Sequence, residues 1–315
     1  MTRSSASPPT DAAALLDETR RATAADPLDA GYLDDLCQEI DNRITRGDMI
    51  IGILPIRAYE VLVQGLATVA ASGRPDAWVR LGRRLLDLPA GQPVVRPTPQ
   101  PFPTGDDEIL DAALSCFAEA ARHGVRQGAY SFAATSRQAV HRAGPYALSL
   151  LAPLCADDPT GEARYWSGIV RYLLGETDAA VAAHHQSAAA GNADAMFELS
   201  VLYGTGDGVP RDDAMAQEWL IRAADRDHPR ALYNVAAAHA TGRGFAKDEA
   251  AAAGYYERAA NAGNPRAAAT LGVMHVLGSG VPRDPAQAAR WFDWAEAGGF
   301  DVNGWLDQIG LQRPS

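Results

Sequence analysis

A chain of 315 residues exceeds the usual size of one compact domain. Its hydrophobic fraction of 47% and charged fraction of 21% exclude a disordered polymer. A net charge of -11 argues against a nucleic-acid surface, which needs clustered Lys and Arg. Three scattered cysteines, Cys37, Cys116 and Cys155, exclude a disulfide framework and a thiolate metal site. They read as small buried hydrophobes.

Met1 to Thr10 is polar, with Ser and Pro and no apolar stretch of a secretory signal, so residues 1–10 read as a disordered tail and the expected location is cytoplasmic. Leu15 to Ala22 and Tyr32 to Ile44 read as helices. The most apolar short run, Met49 to Ile56, is far below the ~20 residues a membrane span needs. Arg80, Arg83 and Arg84 form a local basic spot that reads as a solvated helix face. Residues 88–105 carry Pro89, Pro93, Pro97, Pro99, Pro101 and Pro103, which no helix tolerates. This segment stands where a turn would join Ala77–Leu86 to Asp107–His123. Two readings stay open, a long loop inside one stack of helices or a linker between two helical domains. Ala163 to Ala190 then reads as a helical pair with a short turn at Leu174-Gly175-Glu176-Thr177-Asp178.

From Ala195 the text repeats. Segments beginning at Ala195, Ala231 and Ala267 align without gaps at a period of 36. Turn glycines recur at Gly206, Gly242 and Gly278 and again at Gly208, Gly244 and Gly280. An acidic residue follows at Asp212, Asp248 and Asp284, a large aromatic at Trp219, Tyr255 and Trp291, and alanine at Ala223, Ala259 and Ala295. Ala195, Leu199 and Tyr203 lie four apart and so share one face of a first helix. Ser200, Ala236 and Gly272 are small enough to admit a second helix. The glycines end the first helix with positive φ, and the aspartates cap the amides of the second. Trp219 and its equivalents are expected to fill the gap between paired helices, and Asp301 to Ile309 to cap the open end.

This pattern resembles the Sel1-like repeat, a relative of the tetratricopeptide repeat. Val209-Pro210-Arg211-Asp212, Val281-Pro282-Arg283-Asp284 and Leu271-Gly272 match the family's turn and Leu-Gly pair. The middle unit departs with Val235-Ala236 and Phe245, and His239 and His275 replace the family's tyrosine. Weaker echoes lie upstream, in Gly73-Arg74-Pro75-Asp76-Ala77 with Leu81-Gly82 and in Cys116-Phe117, Ala120-Ala121 and Gly124. The resemblance implies an all-α fold, an α-solenoid of antiparallel helix pairs in a right-handed superhelix. It divides the chain into a tail 1–10, a divergent tetratricopeptide-like region 11–160, Sel1-like repeats 161–300 and a capping helix and tail 301–315.

No motif points to catalysis. Gly204-Thr205-Gly206-Asp207-Gly208 follows a helix and recurs as a turn, unlike a nucleotide loop. His184-His185 are adjacent, whereas chelating pairs on a helix are three or four apart. The expectation is therefore no enzyme, no cofactor and no metal. The family instead implies an adaptor or scaffold that binds a protein or peptide partner, with no nucleic-acid or membrane partner. If first helices line a concave groove, Tyr165 and Ile169, Phe197 and Val201, Tyr233 and Ala237, and Ala269 and Val273 point into it. Glu162 and Asp194 then give way to Arg230 and Arg266 along it. An aromatic groove with a charge gradient suits an extended peptide or partner helix. The competing reading packs those aromatics between neighbouring helices. An enzyme with its site in residues 1–160 and a homo-oligomeric structural protein are the other two readings.

Overall fold

The computed structural model describes residues 11–26, 28–46, 54–87 and 107–313. The N-terminal tail 1–10, the start of the apolar run and the proline-rich segment 88–105 lie outside them. The described residues hold helices and no strand, and the chain separates into two compact units, Met1–Ala156 and Asp157–Ser315. The fold is all-α, a solenoid of antiparallel helix pairs.

The first unit holds α1 (Ala12–Thr23), α2 (Ala30–Arg46), α3 (Leu54–Ala71), α4 (Asp76–Leu86), α5 (Glu108–Arg122), α6 (Arg126–Ser136) and α7 (Val140–Ala156). Helices α4 and α5 pack as a pair, with Gly82 facing the Phe117 ring. A Cβ on Gly82 would lie 2.5 Å from that ring, and Phe117 is fully buried. The basic spot is more than a solvated face. Arg80 and Arg84 are ion-paired with Asp34 and Asp41 of α2, while Arg83 is exposed.

The second unit holds four helix pairs and a terminal helix. These are α8 (Glu162–Leu173) with α9 (Thr177–Ala189), α10 (Ala193–Thr205) with α11 (Asp213–Asp225), α12 (Pro229–Thr241) with α13 (Glu249–Asn261), α14 (Pro265–Leu277) with α15 (Pro285–Ala297), and α16 (Val302–Gln308). Each helix packs chiefly on its neighbours in sequence, as expected of a repeat array. The punctuation follows the sequence. Gly206, Gly242 and Gly278 terminate first helices at φ of 77°, 76° and 75°. The loop is closed where the amides of Asp212, Asp248 and Asp284 donate to the carbonyls of Tyr203, His239 and His275 at 2.9, 2.9 and 3.0 Å. The same aspartates accept amides at the start of the next helix, Asp212 from Met215 (3.0 Å), Asp248 from Ala251 (2.9 Å) and Asp284 from Gln287 (3.0 Å). Such a cap contributes about 1 kcal/mol.

One expectation is corrected. In two of the three repeats the deepest slot between paired helices belongs to the residue after the recurring aromatic; in the first, Trp219 is buried as expected and Leu220 is half-buried. Phe292 is 0% exposed and Tyr256 5%, whereas Trp291 and Tyr255 are half-buried; Trp219 alone of the three is buried. Gly272 makes room for Phe292, since a Cβ there would lie 2.6 Å from the ring. His184 fills the same slot in the α8–α9 pair, against Gly168. In these three pairs the missing Cβ lets the opposing ring approach the backbone, while the second repeat seats Tyr256 in the slot with Ala236 at the equivalent position.

Candidate interaction surface

The candidate residues sit on the first helices of the second unit, and three of those four helices, α10, α12 and α14, are capped by a side chain. Asn192 and Asn264 accept from the amides of Ala195 and Ala267 at 2.9 and 3.1 Å, and His228 Nδ1 accepts from Ala231 at 3.1 Å. His228 thereby replaces asparagine, and its protonated Nε2 points at Asp194 Oδ1, 3.3 Å away. That contact, with His228 the chief cause, holds the Asp194 carboxyl below its ordinary range.

The cap organises what lies beside it. The His228 ring stacks on Phe197 with centroids 4.7 Å apart and planes 18° apart. On the same ring the Arg230 guanidinium lies 4.6 Å from the centroid. One repeat on, Arg266 lies 5.6 Å from the Tyr233 ring, which also meets Tyr256 edge-on at 5.4 Å. The arginine guanidinium groups lie over the aromatics of the preceding repeat. Both arginines are exposed.

The positions expected to form an open aromatic groove therefore divide. Phe197, 4% exposed, is closed over by His228 and Arg230 and is a packing residue, not an open anchor. Ala269 is fully buried. Tyr165 is half-buried, edge-on to Trp166 at 5.2 Å and tilted against His184 at 6.0 Å. Ile169, Tyr233, Ala237 and Val273 are half-buried, and Val201 is 40% exposed. At the acidic end Glu162 is half-buried, and burial, opposed by a hydrogen bond to Trp166, pushes its carboxyl up. The contribution of His228 was not legible in its neighbours; only its place at the asparagine position of the repeat signals a cap.

His239 and His275 serve the loops. Their Nδ1 atoms lie 3.4 and 3.2 Å from the carbonyls of Ala246 and Pro282, and the His239 ring also stacks on Tyr255. His185 contacts the Tyr203 hydroxyl at 3.1 Å and the Trp219 ring edge-on. Among the described residues no three His, Cys, Asp or Glu side chains cluster as metal ligands, and no helix is long and apolar enough to cross a membrane.

Three consecutive segments, residues 193–228, 229–264 and 265–296, match the Sel1 repeat. The chain matches no curated protein. Among solved structures, a Sel1 repeat protein from Oxalobacter formigenes is 38% identical, over 40% of this chain and 95% of that one, with a TM-score of 0.38. A protective antigen of uropathogenic Escherichia coli that displays an SLR fold is 22% identical, over 80% of this chain and 53% of that one, with a TM-score of 0.47. An immunity protein from Pseudomonas aeruginosa is 20% identical, over 77% of this chain and 90% of that one, with a TM-score of 0.48. The three tandem matches share the 36-residue register of the caps and turn glycines, and the Oxalobacter protein is similar over nearly its whole length. The chain belongs to the Sel1 repeat family.

Proposed function

We propose that the second unit is a non-enzymatic protein-interaction module, an adaptor or scaffold that takes an extended peptide or a partner helix along the face of its first helices. Sel1 repeats generally mediate protein–protein interaction. The observation that carries the reading for this chain is the pair of exposed arginines, Arg230 and Arg266, held over Phe197 and Tyr233 at one repeat spacing. In a chain of net charge -11, two preorganised cations on successive helices, with Glu162 and Asp194 preceding them, form a polarised strip. A partner segment with carboxylates at one end and basic groups at the other complements it. Charge then fixes direction, and half-buried Tyr233 and exposed Val201 supply apolar contact.

The test is quantitative capture from source-cell lysate by wild type and by Arg230→Glu/Arg266→Glu, after both are shown to be equally helical. A captured protein that is lost with the double variant and weakened by added salt supports the reading. Capture that is indifferent to the double variant overturns it.

A further inference from the structure

A hollow of about 290 Å3 opens between the second and third matched repeats, where Ala253, Gly254 and Glu257 of α13 face His275, Gly280 and Trp291. Comparison with the preceding junction, between the first and second repeats, shows how it arises. At the equivalent positions, 36 residues earlier, stand Gln217, Glu218 and Phe245, where the hollow has Ala253, Gly254 and Val281. Gln217 Nε2 donates to the Gly244 carbonyl at 2.9 Å, and the Phe245 ring lies 4.7 Å from His239. At this junction all three side chains are replaced by smaller ones. Gly254 sits mid-helix with nothing within 4 Å of where its Cβ would be, so neither a turn nor a close contact requires glycine there.

The lining holds one carboxylate and no Lys or Arg, with the Gln287 amide both donor and acceptor. Glu257 places an exposed carboxylate where the preceding repeat has Ile221. His275 Nδ1 faces the Pro282 carbonyl at 3.2 Å, which makes it the donor and leaves Nε2 an acceptor. Ala253 cannot give Gly280 the amide donor that Gln217 gives Gly244. Trp291 adds an indole. Acceptors, a carboxylate and a π-system together complement a flat cation with several donors. We propose that this hollow binds the guanidinium of an arginine side chain presented by a peptide, at a site separate from the first-helix strip and independent of it. The indole and the planar fork favour arginine over lysine.

The experiment is a 1H–15N titration of the labelled full chain with N-acetyl-arginine methylamide. The expected result is saturable shifts of the Trp291 indole N–H and the Gly254 and Gly280 amides. The neutral citrulline analogue, of nearly the same shape, should bind at least about fivefold more weakly, and Glu257→Gln should weaken arginine binding to a similar degree. Gly254→Leu fills the hollow from an unobstructed helical position and should abolish the shifts. The absence of saturable shifts, an equal response to citrulline, or undiminished binding by Gly254→Leu each overturns the proposal. None of these outcomes touches Arg230 or Arg266, so it stands or falls apart from the adaptor reading.

Discussion

Phe292→Ala is expected to destabilise the Asp157–Ser315 unit by roughly 3–5 kcal/mol, the cost of emptying a fully buried phenyl slot. Phe292 is 0% exposed and sits on Gly272, whose missing Cβ lets the ring reach the backbone of α14. Trp291→Ala should cost less, because Trp291 is only half-buried and lines the hollow beside Gly254. Urea denaturation followed by tryptophan fluorescence measures both. Only Trp78 of the six tryptophans lies outside this unit, so the signal reports chiefly on it. An equal or larger loss from Trp291→Ala would show that the deep slot has been assigned to the wrong neighbour.

His184→Phe should produce the opposite result, a gain in stability on the order of 1–3 kcal/mol near pH 7. His184 is 2% exposed, and its Nδ1 has no hydrogen-bond partner among the described residues. It occupies the slot that phenylalanine fills opposite Gly82 and Gly272, and it too faces a glycine, Gly168. Burial, assisted by the neighbouring His185, pulls its imidazole down to about 4. The unfolded chain titrates near 6.5. The unfolded state therefore binds the proton first as pH falls. This contribution to stability is complete above about pH 6.5 and is lost as pH drops toward 4. Across that window the wild type should lose on the order of 3 kcal/mol through this residue alone. His184→Phe should show a correspondingly flatter profile in urea midpoints measured at pH 7.5, 6, 5 and 4. Parallel profiles for the two proteins would sink the assignment.

The repeat was legible because its punctuation is chemically stereotyped. A glycine with positive φ and an aspartate that caps the next helix have few substitutes, so Gly206, Gly242, Gly278 and Asp212, Asp248, Asp284 could be read as turns directly. The slot was harder. Trp291 and Phe292 differ by one step of about 100° around a helix, and the larger ring draws attention to itself. The informative residue was Gly272, whose missing Cβ leaves room for the Phe292 ring. Gly82 before Phe117 and Gly168 before His184 carry the same signal. The interaction face was only partly legible. Spacing placed Phe197 and Tyr233 on equivalent faces, but their cover comes from Arg230 and Arg266 of the following repeats, whose guanidinium groups lie over the rings while the residues stay exposed. No pattern within one repeat contains that information.

Neighbour-only packing in the second unit also sets its mechanical character. A fold closed by contacts between distant parts of the chain resists tension until it ruptures as a whole. Here tension would meet a series of seams, each between one helical pair and the next. Every 36-residue pair that parts pays out roughly 120 Å of extended chain. The unit is thereby suited to yield in steps rather than to snap.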